Sequence, residues 1–258
     1  MPEKTEYAPG TPSWTDLATD DPDASITFYS TLFGWTAERV PDPDAGGYTM
    51  LAYDGKTVAA LGPKPDPNMP TAWTCYVSVD DADKTCELVT SGGGTVAVAP
   101  MDVFDAGRMA VFQDPTGAFL SVWQPNTMKG ADLVDDPVSL SWIELLTRDV
   151  AKAKSFYGDV FGWGSHTSEG DMPYTEFQLA DKSVAGMMET PAEMPAEVPA
   201  YWMPYFQVAD AAKVTTDAAA LGADVMVPVS PIPGGTLLFA VLRDPQGAAF
   251  GILQNTAP

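Results

Sequence analysis

The sequence predicts an α+β chain of four βαβββ units arranged as two tandem domains. Three internal matches carry that expectation. "SWTDLATDDPDASITFYSTLFGW" (Ser13–Trp35) aligns without a gap with "SWIELLTRDVAKAKSFYGDVFGW" (Ser141–Trp163), 128 residues further on, and ten of 23 positions are identical. "FQDPTGAFLSVWQPN" (Phe112–Asn126) matches "LRDPQGAAFGILQNT" (Leu242–Thr256) at an offset of 130, and "DGKTVAALGP" (Asp54–Pro63) matches "ADKSVAGMME" (Ala180–Glu189) at 126. Self-similarity at a near-constant offset marks a duplicated structural unit. The halves span 11–126 and 139–256, with the polar stretch "TMKGADLVDDPV" (127–138) as linker.

Each half divides again. The first unit opens on a short strand around Trp14. Asp20 or Asp21 can then cap a helix, with Pro22 suited to its first turn. Ile26, Tyr29 and Phe33 recur at helical spacing, and Gly34 ends the helix. "YTMLAYDGKTVAAL" (Tyr48–Leu61) reads as two strands around an Asp54-Gly55 turn. "AWTCYVSVDDADKTCELVTSGGGTV" (Ala72–Val96) repeats the strand, acidic turn, helix and glycine. The third unit begins at Ser141, and the fourth is "AYWMPYFQVADAAKVTTDAAALGADV" (Ala200–Val225).

Composition narrows the function. A chain of 258 residues that is 45% hydrophobic can bury a sizeable core. Its formal net charge of −22 would repel phosphate backbones and anionic lipid, so neither nucleic acid nor membrane is expected as a partner. The same charge would attract cationic ligands, or simply keep the protein soluble. Cys75 and Cys86 are too few for a disulfide framework and read as buried thiols. "MPEKTEYAPGT" has no apolar signal-peptide core, and no apolar run reaches membrane-spanning length. A soluble, cytoplasmic protein is expected.

The unit order, the "FY..LFGW" helix and the "DP.G" turn before each last strand resemble the vicinal oxygen chelate superfamily. That group includes glyoxalase I, extradiol dioxygenases and bleomycin-binding proteins. The resemblance covers nearly the whole chain. It implies glyoxalase-like domains in which two units curl one sheet into a cup that holds the ligand. Most enzymes of the superfamily also hold a divalent metal there, on His, Glu or Gln at four strand positions. The resemblance puts those positions at Trp14, Ala60, Thr74 and Ser121 in the first half. In the second it puts them at Trp142, Gly186, Met203 and Gly251. None is a usual ligand, and the one histidine, His166, falls just past a helix end, so no metal and no cofactor are expected.

Strand alternation then lines the cups, because residues at i±2 share a face. Trp14 brings Asp16 inward, Trp142 brings Glu144, Thr74 brings Tyr76, and Ser121 brings Trp123. Met203 brings Tyr205, and Gly251 brings Leu253. The hairpins add Thr49, Leu51 and Val58 to the first cup and Phe177, Val184 and Met188 to the second. The result is an aromatic wall with one carboxylate per cup, which suits a planar apolar ligand. Asp16 and Glu144 are candidate bases or anchors for a cation, or else solvated strand-end acids. Arg108 is a candidate to polarise a carbonyl, or a surface cation paired with Asp102 or Asp105. The loops 62–72 and 189–200 are either unit connectors or lids, with Met69, Met172, Met187, Met188 and Met194 as adaptable contacts.

Within the superfamily, the two-domain form is similar to the glyoxalase-like and hydroxylase-named proteins of actinobacteria, some of them accessory to aromatic-polyketide antibiotic pathways. That implies a metal-independent protein binding a planar polyketide or antibiotic, cationic in the anthracycline case. Its setting would be biosynthesis or resistance, with a pathway oxygenase as a candidate partner. The alternative is a metal-free isomerase, cyclase or oxygenase that uses a carboxylate base. A monomer and a homodimer both fit.

Overall fold

The computed structural model describes residues 3–170, 173–232 and 235–257. The first unit runs β1 (Pro12–Thr19), α1 (Pro22–Phe33), β2 (Thr36–Arg39), β3 (Thr49–Tyr53) and β4 (Lys56–Pro63). The second runs β5 (Ala72–Ser78), α2 (Ala82–Ser91), β6 (Thr95–Val103), β7 (Gly107–Gln113) and β8 (Phe119–Pro125). The third runs β9 (Leu140–Thr147), α3 (Val150–Phe161), β10 (Gly164–Thr167), β11 (Tyr174–Leu179) and β12 (Lys182–Glu189). The fourth runs β13 (Tyr201–Gln207), α4 (Ala211–Ala220), β14 (Asp224–Pro231), β15 (Leu237–Arg243) and β16 (Ala249–Asn255). These are the four βαβββ units expected.

Local chemistry sets the boundaries. Asp21, Asp81, Asp149 and Asp210 each cap a helix, their side chains accepting from a backbone N–H in the first turn. Gly34 and Gly162 end α1 and α3 in the left-handed conformation that a glycine adopts without a Cβ clash.

Each half forms one open eight-stranded sheet, ordered β2-β3-β4-β1-β5-β8-β7-β6 and β10-β11-β12-β9-β13-β16-β15-β14. The outer hairpins are antiparallel. The last strand of each unit lies parallel to the first, and the two first strands meet antiparallel in the middle. The two units of one half therefore build one sheet.

One face of each sheet is consumed in packing against the other half. Two cores form there, and each draws on both halves. The first joins the second and third units, including Val77, Cys86, Phe112, Phe156 and Tyr157, with Trp202 of the fourth. The other joins the first and fourth, including Tyr29, Phe33, Trp35, Phe206 and Phe250, with Trp73 of the second. Both cysteines lie in the former as free buried thiols.

The repeated motifs meet across this seam. Tyr29 Oη donates to Asp244 Oδ2 at 2.8 Å and accepts from Trp73 Nε1 at 2.9 Å. Tyr157 Oη donates to Asp114 Oδ2 at 2.7 Å and accepts from Trp202 Nε1 at 2.7 Å. The other oxygen of each aspartate closes its own "DP.G" turn, Asp114 Oδ1 on Thr116 N and Ala118 N, Asp244 Oδ1 on Gln246 N and Ala248 N. Trp35 Nε1 donates to Val138 O, and Trp163 Nε1 to Gly10 O. Each motif thus holds the opposite half.

A hydrogen bond to a charged group contributes roughly 1.5–3 kcal/mol, and removing one partner of a buried pair strands the other. Tyr29→Phe and Tyr157→Phe are each expected to lower stability by roughly 1–3 kcal/mol in urea unfolding. The two sit in separate cores, so the double variant should lose close to the sum and still unfold in one transition. Two separated transitions would show that the halves are not welded.

Candidate aromatic site

The faces turned away from the seam carry a second set of aromatics. In the first half Trp14, Ala60, Tyr76, Trp123 and Ala131 form a buried cluster, with Tyr48, Met50, Met109 and Met128 packed on it. The register explains the grouping. Trp14 pairs with Tyr76, Asp16 with both Thr74 and Ala60, Met50 with Ala60, Tyr76 with Ser121, and Met109 with Trp123. Asp16 lies in the middle of this face. Tyr48 Oη and Tyr76 Oη each donate to its Oδ2 at 2.9 Å, and Trp14 Nε1 donates to Tyr48 Oη at 3.3 Å. Burial pushes the Asp16 carboxyl up to about 6, against the opposing pull of the two tyrosines.

The second half repeats the constellation. Tyr205 Oη donates to Glu144 Oε1 at 2.9 Å, and Trp142 Nε1 donates to Tyr174 Oη at 2.8 Å. Burial raises the Glu144 carboxyl above its ordinary value, while Tyr174 and Tyr205 draw it down. Met203, Tyr205 and Leu253 form the buried cluster with Val241, and Trp142 packs on it. Met188 falls on the same face, one strand pair beyond Gly186.

The model of the Glyoxalase/Bleomycin resistance protein/Dioxygenase superfamily matches residues 11–122 and 139–252. The chain belongs to that superfamily. It is 42% identical over 260 residues to CFP32 of Mycobacterium tuberculosis, provisionally named a glyoxylase, covering 98% of each. It is 38% identical over 265 residues to the anthracycline biosynthesis protein DnrV of Streptomyces peucetius, covering 97% of this chain and 95% of that one. Solved structures share the fold. The Mn(II)-bound glyoxalase of Novosphingobium aromaticivorans superposes with a TM-score of 0.68 at 16% identity, covering 96% of this chain and 83% of that one. The 2,2',3-trihydroxybiphenyl 1,2-dioxygenase of Sphingomonas wittichii superposes at 0.67 and 15%, covering 96% and 91%.

The residues of this member do not fit the metal of the superfamily. Among the described residues no group of three or more His, Cys, Asp or Glu side chains could hold an ion. Two of the expected ligand positions are glycines under aromatic side chains. A Cβ at Gly186 would lie 1.8 Å from Tyr174 Oη, and one at Gly251 would lie 2.1 Å from the Tyr205 ring. His166 is exposed on β10, paired with Glu176.

Five of the expected lining residues face the other way. Leu51 is buried in the seam core with Tyr29, and Thr49 shares its face. Phe177 packs on Tyr157 and Trp163. Val58 and Val184, expected beside them, also pack on the seam cores. The reason is a β-bulge. A regular two-residue turn would set Leu51 opposite Val58 and Thr49 opposite Ala60. Instead Leu51 pairs with Ala59 and Ala52 with Thr57, so Val58 is an extra residue and the faces exchange. Val184 is the extra residue in the second half. The places expected for Thr49 and Leu51 go to Tyr48 and Met50, that of Phe177 goes to Glu176, and Tyr174 lies two residues along on the same face. The repeat of Tyr48-Thr49 in Tyr174-Thr175 was the signal for both tyrosines.

Arg108 is also not on this face. It alternates with Met109 toward α2, where it pairs with Asp83 and Asp102 at 2.8 Å each. It cannot stabilise charge beside Asp16. The inter-unit loops are tied down by two cations. Lys64, 7% exposed, bridges Asp20 and Met69 O, and Arg148 donates to Met194 O and Pro195 O. Met187 is in a seam core, and Met172 lies outside the described residues.

The folded Asp16 carboxyl holds its proton more tightly than the unfolded value of 3.8. Its burial therefore opposes folding only when it is ionised. The penalty is absent below about 4 and grows as pH rises through about 6. Asp16→Asn is expected to raise stability by roughly 1–3 kcal/mol at pH 7.5, and by nothing measurable near pH 4. Thermal unfolding at the two pH values checks the sign.

Proposed function

We propose that the protein binds a planar aromatic small molecule on these faces without a metal, in antibiotic biosynthesis or resistance. The observation that carries this reading is an exposed apolar band beside the first aromatic cluster. Val111 pairs with both Val98 and Ser121, and Met109 with both Met101 and Trp123, so all of them share the Asp16 face. Leu120 and Val122 are in the seam core, which turns Phe119 to the same side as Trp123. Met101 is 50% exposed and Phe119 54%. A fused ring system laid on this band would cover apolar surface and reach the indoles and phenols. The names of DauV and DnrV make an anthracycline-type polyketide the natural ligand class to test. A ligand carrying a cationic amine would also gain from the net charge of −22, an attraction that salt weakens.

Titrating tryptophan fluorescence with a panel of anthraquinones and anthracyclines tests the proposal. Saturable quenching is expected, weakened about tenfold or more in Met101→Ala/Phe119→Ala, which removes two exposed side chains. Absence of saturable quenching by every member of the panel would sink it.

A second reading rests on Asp16. A carboxylate near pH 6 suits a general base, so the same site could take a proton from an acidic carbon or phenol and return it elsewhere on the molecule. If so, Asp16→Asn is expected to slow conversion of a polyketide by about 100-fold or more with binding nearly intact. Product formation followed by chromatography decides; no conversion by the wild type leaves binding as the function.

A further inference from the structure

The two cups repeat one constellation but differ in how they present the carboxylate. Both tyrosine hydroxyls of the first cup donate to the same oxygen of Asp16, Oδ2. Among the described residues no hydrogen-bond donor is placed on Oδ1, nor on Oε2 of Glu144, whose Oε1 accepts from Tyr205; the two acids differ in exposure. Asp16 is half-buried, whereas Glu144 is 7% exposed with a tyrosine on each side. The exposed apolar band borders the first cup. In the second cup the Tyr174 hydroxyl and the Tyr205 ring fill the space above Gly186 and Gly251.

We infer that the first cup is the ligand site and that its ligand presents a hydroxyl hydrogen to Asp16 Oδ1. This rests on the aromatic-binding reading and adds the chemical class, a planar phenol. The geometry fixes the polarity of the contact. Oδ2 is engaged by two donors, so the remaining oxygen offers only an acceptor. A methyl ether of the same ring would bring its own lone pairs against it. The second cup carries the same groups as packing.

The test compares 2-naphthol with 2-methoxynaphthalene by calorimetry at pH 7.5. The wild type is expected to bind the phenol about tenfold tighter, the scale of one hydrogen bond to a charged group. In Asp16→Asn the two tyrosine donors claim the amide oxygen and leave the NH₂ toward the ligand. Both ring compounds accept from an NH₂, so their affinities should converge to within about twofold. The substitution is isosteric and removes a buried charge, so the variant folds; thermal unfolding verifies it. Equal binding of the two compounds by the wild type would overturn the inference while leaving aromatic binding in place. A preference that survives Asp16→Asn and disappears in Glu144→Gln would move the site to the second cup and overturn it as well. No binding of either compound, together with no quenching by any anthraquinone, would remove the underlying reading and this inference with it.

Discussion

The rest of the molecule depends on the buried hydrogen bonds from Tyr29 to Asp244 and from Tyr157 to Asp114. Each spans the two halves, and each aspartate also shapes its own turn. A carboxylate placed in a core is tolerable only when donors meet it, and here backbone N–H groups and a tyrosine do so together. The seam therefore has one good register. Around it the helix-facing sides of both sheets pack into two cores, each drawing on both halves. That accounts for the duplication within one chain. A single half would expose Phe112 and Val77, or Phe33 and Trp73, with nothing to cover them.

Consuming one face of each sheet in this way leaves the other two faces free for chemistry. The Novosphingobium aromaticivorans glyoxalase that shares this fold is Mn(II)-bound. In this chain a carboxylate, two phenols and an indole stand at the centre, and glycines make room for the tyrosines in the second half. A desolvated acid with phenol donors is a hydrogen-bonding and proton-handling centre of negative character. It is suited to hydroxyl groups and to acidic hydrogens. The change of chemistry needs no change of fold, since one scaffold hosts many site chemistries.

Much of this was legible in the sequence because it is written in repeats and in local chemistry. Asp-capped helices, the Asp54-Gly55 turn and the "DP.G" motif act within a few residues, so their pattern survives without tertiary information. Trp14, Asp16, Tyr76 and Trp123, with Trp142, Glu144, Met203 and Tyr205, follow from alternation along regular strands. What was not legible depended on one extra residue. The bulges at Val58 and Val184 leave no composition signal, yet they exchange the faces of β3 and β11. Of the two roles the sequence allows Arg108, the pairing with Asp102 is the one the structure holds, and Asp83 is added from α2, as a chain with 35 acids readily supplies carboxylates to an arginine. The roles of Tyr29 and Tyr157 were hidden because their partners lie 215 and 43 residues away in the other half.

The buried acids argue for function over packing. A carboxylate raised to about 6 weighs against folding at neutral pH, and leucine or methionine would fill the same volume without that penalty. The chain nevertheless carries one in each half, with tyrosines and a tryptophan at the corresponding positions, although fewer than half of the residues in the best-matched stretch are the same. In the second cup the acid is buried against its own tyrosines, while in the first it is half-buried, with exposed apolar side chains on the same face. Duplication gives two cups that begin alike and are then free to diverge. Stability sacrificed at Asp16 has a use only if something binds there that needs an acceptor.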